Sequence, residues 1–428
     1  MIKNAQLVVV DGVRTSFAKM GTTLASAGAV ELGRTVVSGL LTKTGIDPES
    51  VDEVIIGNVS QPADAANVAR VIALRAGLPN SCPAYTVHRN CASGLEALTT
   101  ASGKAAAGQG EIFIVGGVES MTHMPLLYSH RTALKFSALS RAKGIGAKIK
   151  AMAAFRPSDF SPVVGLKLGL TDPVVDMDMG QTAELVARDF DIDRETQDAF
   201  ALLSHQKATA AKERLLEEMI PFYPKGGGDP VIGDNGVRES QTMEALAKLR
   251  PVFERHTGTV TAGNASQLTD GAVALLVMTE KRAQRLGLDP LGRLVDFHYS
   301  GCDPARMGLG PAHVMAKLAI RNGLRPERAD LIEVNEAFAA QVIGVQRLFK
   351  QREFAVASGS SSTGLGEIPD ELLNPNGGAI ALGHPVGASG ARLVLTALHE
   401  LKRTKGKKAY VSLCIGGGQG GGALLERD

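Results

Sequence analysis

The chain has 428 residues, 44% of them hydrophobic and 21% charged, the composition of an ordinary globular protein long enough for two domains or a duplicated one. A net charge of +2 gives no reason to expect nucleic-acid binding, and the scattered Cys82, Cys91, Cys302 and Cys414, with no CxxC pair, argue against a zinc ribbon or a disulfide framework. A reduced, cytoplasmic setting fits those cysteines; no apolar run reaches the ~18–20 residues of a spanning helix, and the strand-like run Leu7–Val10 is read as leaving no room for a leader peptide.

In chain order, a helix-like segment (Leu32–Lys43) leads into GIDPESVDEVIIG at 45–57, and a second (His313–Asn322) leads into GLRPERADLIEVN at 323–335. The two stretches align without gaps, with Gly45/Gly323, Pro48/Pro326, Glu49/Glu327 and Asp52/Asp330 identical. A second echo pairs Cys91-Ala-Ser-Gly with Gly387-Ala-Ser-Gly, each opening a helix that is followed by an apolar strand ending in glycines. Such repetition reads as a duplicated α/β chain with mostly parallel sheets, whose two halves would stack as five layers, α-β-α-β-α. Between the halves, residues 120–158 contain no acid but seven basic residues. The expected boundaries are 1–119 for the first part of the N-terminal half, 120–250 for an inserted domain, 251–285 for completion of that half and 286–428 for the C-terminal half.

Four stretches could carry chemistry. In VHRNCASG, Cys91 sits between a strand and a helix, where the helix dipole and free N–H groups would lower a thiol pKa. In NPNGGAIALGHPVGASG, His384 is the natural base for activating a thiol. NEAFAA places Asn335 at the end of the repeated strand, where alone it would close a turn. In SLCIGGGQGGG, Cys414 ends a strand, and the glycines leave N–H groups open toward an oxyanion. A dinucleotide site is discounted, because no strand–GxGxxG–helix context or partner acid is present.

Together these stretches resemble the signatures of the thiolase superfamily, in its order and spacing. The likeness extends to VVVDGVRTSFAKMG, MGQTAE (179–184) and TVTAGNASQLTDGA (259–272), and so covers nearly the whole chain. The resemblance implies a duplicated thiolase fold with an inserted loop domain that binds coenzyme A. It implies that Cys91 is acylated, that His384 takes its proton, and that Cys414 is the second acid/base. Asn335 would hold a water that forms one oxyanion hole with His384, and the N–H groups of Cys91 and Gly416 would form the other. Ser266 would contact pantetheine and Arg238 the adenine end of CoA. The implied reaction is thiolysis of 3-ketoacyl-CoA by CoA, a substrate rather than a cofactor, with no metal, in a homodimer or homotetramer.

His88 stands where the family usually has Asn, and Asp178 where several short-chain members have His; the latter weakens an acetoacetyl-specific reading. The longer basic insertion (140–162) resembles β-subunits of the β-oxidation trifunctional complex, which would bring a hydratase/dehydrogenase partner, although those subunits often carry HEAF instead of NEAF. Acetoacetyl-CoA synthesis from two acetyl-CoA is the alternative, since both directions use the same residues. A decarboxylating condensing enzyme would need a second histidine in place of Cys414. A non-catalytic member would lack the nucleophile, and a metal site would need three or four converging ligands. The basic stretch itself has three readings: a surface helix for peripheral contact with an anionic membrane or an acidic partner, packing of the insertion, or attraction of CoA phosphates.

Overall fold

The computed structural model describes residues 6–360 and 364–428. The elements that shape the molecule begin with β1 (Leu7–Arg14), α1 (Ala29–Thr44), β2 (Glu53–Gly57), α2 (Val68–Arg75), β3 (Ala84–Val87), α3 (Ser93–Ala106) and β4 (Ile112–Glu119). They continue through α4 (His130–Arg141), α5 (Ile145–Ala153), α6 (Met179–Asp189), α7 (Arg194–Ala210), β5 (Thr269–Thr279) and β6 (Gly292–Gly301). The chain closes with α8 (Gly310–Asn322), β7 (Leu331–Val334), α9 (Ala339–Phe349), α10 (Val386–Thr404), β8 (Lys408–Ile415) and β9 (Gln419–Glu426).

The strands run in the order β3-β2-β4-β5-β1-β6-β9-β8-β7. Two half-sheets meet where β1 pairs with β6 through Val8–Arg293 and Val9–Gly292. Helices α3 and α10 pack against each other between the half-sheets, with α10 touching β4 and β5 on one side and β7 and β8 on the other. Helices α1 and α2 cover the outside of the first half, and α8 covers the second. Three large buried clusters follow this layering: one around the middle helices and one under each outer layer. The five-layer expectation therefore holds.

The repeat is exact enough to share its hydrogen bonds. Gly45 and Gly323 both end their helices in the left-handed conformation, with φ of 63° and 62°, where a Cβ would be strained. Asp52 Oδ2 accepts from the N–H groups of Glu111 and Ile112 at 2.7 and 2.9 Å; Asp330 Oδ2 accepts from those of Lys407 and Lys408, both at 2.9 Å. Each aspartate thus pins the start of the strand parallel to its own, β4 beside β2 and β8 beside β7.

The expectation of mostly parallel sheets is corrected. β2 runs parallel to β3 and β4, and β7 parallel to β8, but β5 is antiparallel to both β1 and β4, and β9 to both β6 and β8. The reason is visible at Gly416–Gly418: a tight turn with Gly417 and Gly418 at positive φ reverses the chain between β8 and β9, which leaves only antiparallel pairing.

Residues 124–171 form a compact unit of their own. The rings of Tyr128, Phe136, Phe155 and Phe160 pack together there, with centroids 4.9 to 5.6 Å apart along the chain of contacts. Residues 172–250 belong to the main body. In that body, buried Arg14 of β1 reaches Glu218 at 2.9 Å and Asp234 through two bonds of 2.8 and 2.9 Å, which fastens the 218–234 segment to the first strand.

A second buried pair joins the middle helix to the second half-sheet, with Arg392 of α10 at 2.8 Å from Glu333 of β7. Both side chains are almost wholly out of solvent, so removing one partner strands the other charge. Arg392→Met is expected to destabilise the protein by about 3–5 kcal/mol, and Arg392→Met with Glu333→Leu to recover most of that. Denaturant unfolding followed by circular dichroism checks this; equal losses in the single and double variants would contradict it.

Candidate active site

Cys91 lies in the turn from β3 to α3, two residues before the helix. Asn90, at φ 44°, turns the backbone so that Ala92 N bonds Arg89 O and Ser93 N bonds Asn90 O, both at 3.0 Å. The Asn90 amide then donates to the Gly416 carbonyl at 2.7 Å, tying this turn to the β8–β9 turn. Arg89 is held outside by Glu96 at 2.6 Å and lies over the Tyr299 ring at 4.2 Å. Burial pushes the Cys91 thiol up to about 11, and the N–H groups of Gly416 and of Cys91 itself oppose that shift. Both N–H groups thus favour negative charge on the sulfur. The expectation of a lowered thiol pKa fails. Among the described residues no cation lowers the Cys91 thiol, and loss of water outweighs the helix start.

His384 precedes α10 and is buried. Its backbone N–H donates to Thr269 Oγ1 at 3.1 Å, and its Nδ1 lies 2.6 Å from Ser389 Oγ. Ser389 spends its own proton on Pro385 O at 3.0 Å, so it accepts from the imidazole. That assigns the proton to Nδ1 and leaves Nε2, which has no partner among the described residues, as the basic nitrogen. Burial, helped by the Arg392 charge, lowers the imidazole to about 4. His384 is therefore neutral near pH 7.

The two loops share one place because α3 and α10 touch through their backbones. A Cβ on Gly94 would lie 2.8 Å from Ala391 N, and one on Gly390 2.6 Å from Leu95 N. Glu119, at the end of β4, secures the junction. Its carboxylate accepts from Val59 N, Ser60 N and Gly387 N at 2.9 to 3.1 Å, and from the Asn58 amide at 3.2 Å.

Cys414 ends β8 fully buried, and burial raises its thiol well above the ordinary value, with Cys91 near enough to add to the rise. Met307 and Phe338 form an apolar wall with it, and Met179 and Phe253 pack on that wall. Asn335 follows β7, with its N–H on Ser412 O at 2.9 Å. Its side chain is 0% exposed, and neither polar atom has a partner among the described residues. Its neighbour Glu336 accepts from Ser204 Oγ at 2.6 Å, Asn374 Nδ2 at 2.8 Å and Ile380 N at 3.2 Å. Asn374 also bonds both backbone groups of Val334 at 2.9 Å, which locks NPNGG to NEAF.

Ser266 joins this centre: its N–H donates to Ala337 O at 2.9 Å, and the flanking Leu268 bridges to His384. Arg238 stands elsewhere, beside His205 and Lys19. Burial and these two charges push His205 down to about 4. Neither cation has a carboxylate partner among the described residues. Of the two departures noted in the sequence, His88 is exposed at the Cys91 turn, and Asp178 caps α6 by accepting from Gln181 N at 2.9 Å.

Sequence reasoning passes over Glu119, Ser389, Glu336 and Asn374. Glu119 had a readable signal, a lone acid ending the apolar strand IFIVGGVE; for Ser389 and Asn374 only the folded contacts reveal the part they play.

Comparison with known proteins identifies the family. The family model for the thiolase N-terminal domain matches residues 7–281, and that for the thiolase C-terminal domain matches 288–427. The chain is 41% identical to an acetyl-CoA acetyltransferase of Allochromatium vinosum, over 99% of this chain and 100% of that one. It is 37% identical to a 3-ketoacyl-CoA thiolase of Yersinia pestis, over 98% and 97%. The solved structure of human mitochondrial 3-ketoacyl-CoA thiolase in complex with CoA superposes with a TM-score of 0.85 at 34% identity, covering 99% of this chain and 98% of that one. The chain belongs to the thiolase family and is an acyltransferase.

The raised thiols and neutral imidazole generate a prediction about reactivity. Alkylation of Cys91 by iodoacetamide should climb about tenfold per pH unit between pH 7 and 9, as the thiolate fraction does. Cys91 should react faster than Cys414, whose thiol is buried deeper. Peptide mass mapping of the alkylated protein checks both points. A rate plateau below pH 7, the mark of a thiolate–imidazolium pair, would contradict the neutral resting state.

Proposed function

We propose that the chain catalyses thiolysis of 3-ketoacyl-CoA to acetyl-CoA and a shortened acyl-CoA in fatty-acid β-oxidation. One observation supports the reading: half-buried Cys91 and buried Cys414 stand close together at the glycine turn after β8, where the Gly416 N–H opposes the rise of the Cys91 thiol. Cys91 Sγ attacks the 3-keto carbon as its proton passes to His384 Nε2. The oxyanion that forms on C3 is taken up by the N–H groups of Cys91 and Gly416, while His384 and a water held by the unpaired Asn335 amide bind the oxygen of the CoA thioester, where enolate charge develops. The bond between C2 and C3 then breaks, and Cys414 gives its proton to C2 of the departing acetyl-CoA. The N–H groups of Cys91 and Gly416 stabilise the thioester oxygen left on Cys91. CoA–SH then loses its proton to the Cys414 thiolate and attacks the acyl thioester, which releases acyl-CoA, and His384 returns its proton to the Cys91 thiolate. Each preorganised donor contributes about 3 kcal/mol to such steps. The reverse sequence, joining two acetyl groups, is the second reading, and thiolysis rates on 3-ketoacyl chains of roughly four to sixteen carbons separate the two.

The CoA end of the proposal rests on charge. Arg238 and Lys19 form a cationic pair without acids, fit for CoA phosphates, and half-buried Ser266 fits the pantetheine path beside the NEAF loop. The same reading takes the protein to be a cytoplasmic homodimer or homotetramer, supported by the free edge of β3 at one end of the sheet order. A hydratase/dehydrogenase subunit is its proposed partner.

Two predictions test the assignments. Cys91→Ala should lose both acyl-enzyme formation and thiolysis, whereas Cys414→Ala should still accept an acyl group from activated acyl-CoA and then turn over very slowly. Rapid-mixing kinetics distinguish these outcomes; equal loss of acylation in both variants would overturn the division of labour. Arg238→Ala should raise the KM for CoA several-fold and flatten its salt dependence, with little change in kcat. Steady-state assays at low and high salt check this, and an unchanged KM would remove Arg238 from the CoA site.

A further inference from the structure

Gln341 is the third residue of α9, and its side chain is 0% exposed. Neither its Oε1 nor its Nε2 has a partner among the described residues. Asn335 and Gln341 are, among the described residues, the two side-chain amides in which both polar atoms are buried and unpaired. Other buried amides with one idle atom, such as those of Asn58, Gln197, Gln267 and Asn376, use the other atom. The polar groups nearest to Asn335 in sequence and in hydrogen bonding are engaged as well: Glu336 accepts from Ser204, Asn374 and Ile380, and Asn374 also bonds both backbone groups of Val334.

The position of Gln341 is close to the reacting groups. Phe338, immediately before α9, packs with Met307 and Cys414. Gln341 follows Phe338 by one helical turn, and its Cγ is 3.0 Å from where a Cβ on Gly308 would stand; Gly308 comes directly after Met307. Gln341 therefore sits beside the apolar wall of Cys414, where a glycine backbone leaves room for it. As packing alone an amide is a poor choice there. Methionine has the same length and no amide to strip of water, and an unpaired buried amide is costly. Two such amides in one short stretch call for partners outside the chain, and ordered water is the usual one for buried polar groups.

We infer that Gln341 is a positioning residue: buried water joins its amide to that of Asn335 and fixes which end of the Asn335 amide faces the catalytic centre. The two ends of an amide are alike in shape and opposite in hydrogen bonding. No side-chain bond to a described residue chooses between them for Asn335. A water bonded to Gln341 supplies the choice, because its bond to one end of Asn335 leaves the other end for the water that serves the thioester oxygen. The inference rests on the proposed reaction, in which that second water and His384 take up the enolate charge.

The test follows enolate formation separately from acylation, in the full-length enzyme. Incubation with acetyl-CoA in deuterium oxide reports exchange of the C2 hydrogens by NMR, and rapid quenching with mass spectrometry reports acetylation of Cys91. Gln341→Met should slow C2 exchange about tenfold. It should keep the wild-type acetylation rate, KM for CoA and circular dichroism, and its Tm should not fall. Gln341→Leu should behave alike, and carries the test if the Met variant does not fold. In an Asn335→Ala background, Gln341→Met should cost nothing further, because a residue that acts through Asn335 has nothing left to position. Wild-type exchange in the folded Met or Leu variant overturns the inference. Additive losses in the double variant, or equal losses of acetylation and exchange, also overturn it and assign Gln341 to packing. A wild-type enzyme that takes up the acetyl group yet exchanges no C2 hydrogen would overturn the proposed reaction itself, and the inference with it.

Discussion

The close crossing of the two middle helices is the constraint on which the site depends. At Gly94, Gly390 and Gly117 the backbone of one segment occupies the space a side chain would need; a Cβ on Gly117 would sit 1.9 Å from the Gly387 carbonyl. Glycine costs helix stability, about 1 kcal/mol against alanine in an interior position. The cost is offset by the large apolar cluster in which both helices are embedded. What it secures is position. The turn before α3 carries Cys91, the loop before α10 carries His384, and helices that start in contact must open both onto the same point. Glu119 then ties the end of β4 to the first turn of α10, so the loops cannot drift apart without breaking a buried carboxylate's hydrogen bonds.

Electrostatics set the chemistry within that frame. Cys414 and His384 are buried and Cys91 is half-buried, and in each case the loss of water favours the uncharged form. In the proposed reaction, a neutral thiol and a neutral imidazole make proton transfer part of the attack, not a step completed beforehand. Arg392 strengthens this by discouraging charge on His384, while its pairing with Glu333 keeps the buried guanidinium compensated. Ser389 adds orientation. Because it donates to Pro385 O, it can only accept from His384, and the basic nitrogen is left unpaired. The Gly416 N–H, by contrast, favours negative charge on the sulfur, so anion stabilisation becomes most useful as charge develops.

Much of this was legible in the sequence, and the parts that were not share a cause. The repeat at 45–57 and 323–335 was readable because a helix end, a turn and a strand start each demand particular residues, and Asp52 and Asp330 turn out to make the same pair of bonds. Cysteine, histidine and glycine in fixed short stretches pointed to the chemistry before any contact was known. Strand direction was misjudged because helices between strands dominate the pattern, whereas a three-glycine turn decides how β9 returns. The Cys91 thiol was misjudged because a helix start is local, while desolvation depends on the β8–β9 turn, more than 300 residues away. Asn374 and Ser389 read as loop and helix-cap residues until their partners Glu336 and His384 are in place. In 120–158 the sequence displayed the charges, but which apolar side chains stay exposed is read only from the folded chain.

The central claim is that one sulfur, held at the meeting of two helix starts and beside a glycine N–H, carries the acyl group. It is tested most directly by acid-quenching the wild-type enzyme within its first turnover on a 3-ketoacyl-CoA without added CoA, then mapping the digested protein by mass spectrometry. The acyl mass should appear on the peptide containing Cys91 at near-stoichiometric yield, with Cys82, Cys302 and Cys414 unmodified. An acyl group on Cys414 or Cys302, or none on any cysteine while acetyl-CoA is released, would contradict the account.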